Sequence, residues 1–212
     1  MDKNGIKNII FDLGGVLLNI DYNRAIEAFF NLGISKEQLE YSQAEQNLLF
    51  DGLETGKITP AEFRDGLRGI SYLGLSDKEI DDAWNSLILD MPNYRIDLVK
   101  TLKGKYNLYL LSNTNIIHYK DYTELLKREN NIDGLEPLFE KTYLSHEIGM
   151  RKPNVEIFEW VCKDAGLTPS ETLFIDDSEQ HIKGAERAGL KAYWLHNEDI
   201  VDCFPEEGIK KA

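Results

Sequence analysis

The sequence predicts an α/β fold: a doubly wound, Rossmann-like parallel sheet with a small all-helical cap inserted after the first strand. Two observations carry that expectation. Short apolar, β-branched or aromatic runs recur at 7–12 (KNIIFD), 107–112 (NLYLLS), 141–145 (KTYLS), 172–176 (TLFID) and 191–195 (KAYWL). Several are nearly unbroken, as in a parallel sheet covered on both faces. After Asn107 the runs alternate with helical patterns over 116–129, 154–166 and 179–189, a rhythm that builds right-handed βαβ crossovers.

Between the first two runs the rhythm breaks. Residues 17–92 hold no convincing strand but several helix starts: Ser35 with Gln38, Thr59-Pro60 with Glu62, and Ser76 with Glu79. Each sets a hydroxyl three residues before Glu or Gln, the capping-box spacing. The stretch therefore reads as about four short helices ending near Met91-Pro92. A helix from Asn93 to Lys103, closed by Gly104, then leads back to the sheet. The expected division is a core at 1–16 and 93–212 around a cap at 17–92.

The bulk numbers suit one core plus a smaller appendage: 212 residues, 42% hydrophobic and 29% charged. A formal net charge of −13 argues against nucleic acid, whose phosphates need basic patches. A small anion needs only one local cationic pocket, which a metal ion helps to build. No run reaches the ~18 apolar residues of a membrane span, and MDKNGIKNIIFDLGG lacks a signal-like apolar region. The expectation is a cytoplasmic protein without a membrane partner. Cys162, in a helical run, and Cys203, near the C-terminus, read as inert thiols.

Open parallel sheets bind ligands beyond the carboxyl ends of their strands. Asp12 ends the first run, Ser112-Asn113 the second and Asp176-Asp177 the fourth, while Lys152 follows the third in GMRKPN, before a helix that Pro153 is placed to open. Taken singly, Asp12 reads equally as a turn acid, Ser112 to Asn115 as helix caps, and Lys152 as a surface lysine. Together they gather acids and anion-binding groups at one edge, and adjacent aspartates raise each other's protonation unless a positive charge intervenes. Carboxylate oxygens of this kind suit Mg²⁺ beside a phosphate.

FDLGGVL, LLSNTN, GMRKPNVEIF and LFIDDSEQHIKGAERAGL resemble, in order, the four motifs of the haloacid dehalogenase-like hydrolase superfamily. The helical insert resembles the C1 cap of its subfamily I, so the likeness spans the whole chain. The details of FDLGGV, LSNTN, YLSHEIGMRKP and FIDDSEQHI resemble the branch containing α-D-glucose-1-phosphate phosphatases.

The resemblance implies that Asp12 is the nucleophile and forms an aspartyl-phosphate that water hydrolyses. It implies Mg²⁺ held by Asp12, the backbone carbonyl of Gly14, and Asp177, with Asp176 a direct or water-mediated partner. Ser112, the Asn113 backbone and Lys152 would hold the transferring oxygens. The implied substrate is a small phosphate ester, a sugar phosphate such as glucose 1-phosphate.

One position departs from the pattern. Phosphatases of this superfamily usually carry a second Asp two residues after the nucleophile, where it protonates the leaving group; here that residue is Gly14. General acid-base catalysis is worth roughly 10² to 10⁴ in rate, so the glycine points to esters whose leaving groups depart easily. It also disfavours a phosphomutase. The alternatives are a hydrolytic dehalogenase, which the Asp176-Asp177 pair counts against, and a binding or regulatory protein on the same fold, against which Asp12 and Lys152 count. The segment Asp21-Tyr22-Asn23-Arg24, where the chain enters the cap, reads as a pocket wall or as a capped helix start. Trp84 and Phe50 read as cap core, and His118, His146 and Arg151 as surface groups close enough to the motifs to contact substrate or replace the acid.

Overall fold

The structure, a computed structural model, describes residues 1–35 and 43–211, the side chains of 43–47 excepted. The Gln38 half of the first expected helix start lies outside those residues. Five strands, β1 (Asn8–Phe11), β2 (Asn107–Ser112), β3 (Lys141–Leu144), β4 (Thr172–Asp176) and β5 (Lys191–Trp194), form one parallel sheet in the order β3-β2-β1-β4-β5. Side chains alternate across it, which explains the unbroken apolar runs. Ile9 and Phe11 join Leu108, Leu110, Leu173 and Ile175 in one layer, whereas Ile10 joins Tyr109, Leu111 and Phe174 in the other. Ile9, Ile10 and Phe11 are each 0% exposed, and burying such a side chain contributes about 1.5–3 kcal/mol.

Helices α1 (Tyr22–Asn31), α2 (Gln43–Glu54), α3 (Pro60–Ser71) and α4 (Asp77–Asn85) lie between β1 and β2, followed by α5 (Asn93–Leu102). Both capping boxes that fall on described residues form. Thr59 Oγ1 accepts from Glu62 N at 3.2 Å and Ser76 Oγ from Glu79 N at 3.3 Å, and each glutamate accepts the cap's own N–H in return. Phe29, Phe63, Leu67, Ile80 and Ala83 build a separate core for these helices. The chains that leave and rejoin the sheet are tied together: Ile20 and Ile88 form an antiparallel bridge, with Asn19 N donating to Asp90 O at 2.8 Å and Leu89 N to Asn19 O at 3.0 Å. No sequence pattern announced this pairing, because a single bridge has no period.

The remaining helices are α6 (Ile116–Leu125), α7 (Ser145–Ile148), α8 (Val155–Ala165) and α9 (Glu179–Arg187). The expected helix to 129 changes to a π-type turn over Leu126–Asn130 and stops at Asn131 in the left-handed region, φ 54°. Two boundary expectations are corrected. Lys103 closes α5 in right-handed geometry, φ −57° and ψ −23°, so Gly104 is not a left-handed stop. Pro153 precedes Asn154, the cap of α8, instead of occupying its first turn.

Register decides what meets at the sheet's carboxyl edge. Phe11 pairs with Ile175 and Leu110, Ser112 with Leu144, and Asp176 with Trp194. One step beyond Phe11, Asp12 N donates to Ile175 O at 2.9 Å, which places the Asp12 side chain level with Asp176.

Candidate active site

Lys152 sits at the centre of that edge, fully buried, with Nζ 2.8 Å from Asp12 Oδ1 and 2.7 Å from Asp176 Oδ2. Taken singly it reads as a surface lysine and in its motif as a counter-charge to phosphate; here it is the positive charge between two buried acids. Burial works against its charge, but Asp12 and Asp176 outweigh burial and hold the ammonium above its ordinary 10.5. Asn113 fixes the backbone beneath it. Its Nδ2 donates to Lys152 O at 3.0 Å and its Oδ1 accepts from Lys152 N at 2.9 Å, which leaves the Asn113 main chain to face a ligand. Ser145 Oγ, bonded to Thr114 N at 2.9 Å and Thr114 O at 2.8 Å, joins the same loop to α7.

The two motif-four aspartates differ in environment. Asp176 is fully buried; Oδ1 accepts from Ser178 N at 2.8 Å, Oδ2 from Lys152, and His181 Nδ1 lies 3.0 Å from both oxygens. Burial raises its carboxyl, yet Lys152 and His181 together hold it well below the ordinary carboxylate range. Its lone pairs are engaged, so of the two expected roles at a metal the water-mediated one fits better. Asp177 instead faces the cavity, with its carbonyl accepting from Trp194 Nε1 at 2.9 Å. Gly15 lies against it at φ +75°, and a Cβ there would run into the Asp177 carboxylate. Only glycine allows both that backbone turn and that approach.

Burial, then the charge of Asp176, pushes Asp12 well above its ordinary 3.8 against the pull of Lys152, and raises Asp177 likewise. Two acids on one cavity wall, beside a close-approaching glycine backbone, form an oxygen donor set that a divalent cation fits.

The cavity holds about 360 Å³, within the usual range for small-molecule sites. Asp12, Gly14, Ser112, Asn113 and Asp177 line its sheet side; Tyr22, Glu54 and Trp84 line the side formed by the insertion. Asp21 caps α1 through Asn23 N at 3.0 Å and Arg24 is exposed, so Tyr22 alone of that segment reaches the cavity. Trp84 and Phe50 pack in the insertion's core as expected, and Trp84 also forms cavity wall. Of the three groups expected at the surface, His118 and Arg151 are corrected. His118 is buried against Trp84 with Nδ1 2.9 Å from Asn85 Oδ1, and burial lowers its pKa to about 3. Arg151 is half-buried on the cavity wall, where it pairs with Asp51 and lies 3.1 Å from Glu54; His146 is half-buried outside the wall. Glu54 and His181 were not singled out from the sequence, because neither stands in a spacing that marks it. Cys162 and Cys203 are buried and free, with burial pushing each thiol up to about 11.

The haloacid dehalogenase-like hydrolase family matches residues 6–189. The chain belongs to that family. Among its relatives, D-ribitol-5-phosphate phosphatase of Bacteroides thetaiotaomicron is 34% identical over 194 residues, covering 91% of this chain and 93% of the relative. The crystal structure of the HAD family enzyme bt-2542 from the same species superposes with a TM-score of 0.88 at 46% identity, covering 95% of this chain and 99% of that one. A variant of that enzyme with an aspartate changed to alanine, in complex with magnesium and inorganic phosphate, matches at 45% identity and TM-score 0.86 over 94% and 98% of the two chains. A solved dehalogenase at 17% identity and TM-score 0.59 shares the fold alone. No described helix of this haloacid dehalogenase-like hydrolase is long and apolar enough to cross a membrane.

Proposed function

We propose that this protein is a Mg²⁺-dependent phosphatase of a small sugar or polyol phosphate, acting through an aspartyl-phosphate. The observation that carries the reading is Asp12 on the cavity wall with Lys152 Nζ 2.8 Å from its Oδ1 and Asp177 across the glycine turn. Asp12, the Gly14 carbonyl and Asp177 are the groups that hold the metal, with Asp176 acting on it through water. Bound Mg²⁺ supplies the charge that keeps Asp12 ionised and neutralises phosphate oxygens.

Asp12 attacks phosphorus in line, the ester oxygen leaves on the opposite side, and water then hydrolyses the acyl phosphate. Lys152 stabilises charge on the transferring oxygens, aided by the Ser112 hydroxyl and the Asn113 N–H. Asp176, His181 and the Asn113 side chain position Lys152. Helices α1 to α4 act as a cap (17–92) on a core formed by 1–16 and 93–212, and their cavity wall selects the ester. Glucose 1-phosphate suits the missing acid at Gly14; the ribitol-phosphate relative supports a polyol phosphate equally.

Phosphate release across glucose 1-phosphate, D-ribitol 5-phosphate, nucleotides and p-nitrophenyl phosphate tests the reading, with Mg²⁺ or EDTA and beside Asp12→Asn. Turnover should require Mg²⁺ and vanish in the variant. Activity in EDTA or in Asp12→Asn would overturn the mechanism.

A further inference from the structure

We propose that Glu54, at the end of α2, is the proton donor to the leaving group and the proton acceptor from the hydrolytic water, in place of the acid that Gly14 lacks. The inference rests on the phosphatase reading above. In-line displacement sends the leaving oxygen away from Asp12, towards the wall built by the insertion. Glu54 lines that wall. Its Oε2 is buried and accepts no hydrogen bond, and the nearest cation is Arg151 Nη2 at 3.1 Å, whose other amino group is taken by Asp51.

The carboxyl is anchored to the core as well as to the insertion. Thr55 Oγ1 donates to Asp51 O at 2.6 Å and locks the last turn of α2. The chain then bends at Gly56, φ +62°, where the backbone packs so closely on α7 that a Cβ would run into His146 O.

The charged and titratable groups around Glu54 are Asp51 on its own helix, Arg151 after α7, Tyr22 on α1, and Lys152. Burial outweighs the pull of Lys152 and raises the Glu54 carboxyl to about 7, the range suited to proton transfer at neutral pH. The neighbouring candidates fit less well. His118 is held neutral, Tyr22 is 64% exposed with its hydroxyl pushed up, and His181 lies on the sheet side against Asp176.

In the first step an Asp12 oxygen bonds to phosphorus and the P–O ester bond breaks. The departing oxygen takes the Glu54 proton, which gives the alcohol and the Glu54 carboxylate. In the second step a water oxygen bonds to phosphorus, its proton returns to Glu54, and the bond to Asp12 breaks. Inorganic phosphate, the Asp12 carboxylate and the Glu54 acid remain.

The test compares D-ribitol 5-phosphate with p-nitrophenyl phosphate in Glu54→Gln, on the full chain with Mg²⁺. The polyol rate should fall by roughly 10² to 10⁴. Nitrophenol, which leaves without a proton, should still appear at near wild-type rate as a burst of about one equivalent, followed by slow turnover because the water's base is missing. The burst also reports that the variant is folded. Equal slowing of both esters, no slowing, or the same pattern in His181→Gln in place of Glu54→Gln would overturn the assignment. Without any substitution, wild-type phosphorylation by the polyol ester should fall as pH rises through the neutral range while first-turnover release of nitrophenol does not; parallel profiles would also overturn it. A burst in Asp12→Asn would instead sink the underlying phosphatase reading.

Discussion

Glu54 carries a carboxyl that the folded protein prefers protonated, and this makes a stability prediction independent of catalysis. Its value rises from 4.5 unfolded to about 7 folded, so the folded state binds the proton more tightly. Stability from that proton is fully present below the unfolded value and is lost as pH rises through the folded one. Glu54→Gln should therefore gain on the wild type between pH 5 and pH 8, by about 3 kcal/mol at most, measured by urea unfolding in EDTA. A constant difference across that range would show that Glu54 is not raised. Lys152 makes the opposite case, since its charge is what the buried acids require. Lys152→Met should abolish activity and cost about 3–5 kcal/mol in the same unfolding experiment; a cost below 1 kcal/mol would mean Asp12 and Asp176 do not need it.

At the scale of elements, the starts of α3 and α4 were legible because a capping box is local: a hydroxyl and, three positions on, a carboxylate. Thr59→Ala should cost about 1 kcal/mol and leave p-nitrophenyl phosphate turnover intact, and a loss of turnover would mean that α3 positions the site directly. Gly56 illustrates what local pattern does not carry. Its φ of +62° marks a turn, but the need for glycine there comes from His146 O, in a different part of the chain. Gly56→Ala should cost at least about 1 kcal/mol and displace Glu54. The polyol rate should then drop while a nitrophenyl burst appears as in Glu54→Gln; unaltered polyol turnover would show that the turn does not place the acid. The boundary expectations failed for a related reason. Gly104 and Pro153 are common helix punctuation, yet Lys103 and Asn154 already close and open those helices.

For the whole molecule, the formal charge of −13 sets a field that a dianionic substrate must cross before it meets Lys152. Salt screens that repulsion over about 8–10 Å. The kcat/KM for a phosphomonoester should therefore rise by about two- to threefold as ionic strength increases from ~0.01 to ~0.15 M. A fall would mean that the local field of the cavity dominates the encounter.

The strand runs determined the sheet, their polar ends named Asp12, Ser112, Asn113, Asp176 and Asp177, and the GMRKPN segment after the third named Lys152, because apolar runs and short motifs are properties of neighbouring residues. Which of those groups touch was decided by register, which set Asp12 level with Asp176 and put Lys152 between them. The identity of the cavity's far wall was decided by tertiary structure altogether. Asp51 and Arg151 meet across 100 residues of sequence, and the same arginine lies 3.1 Å from Glu54 on the cavity wall. No periodicity links such positions; only the packing of the turn at Gly56 against α7 does.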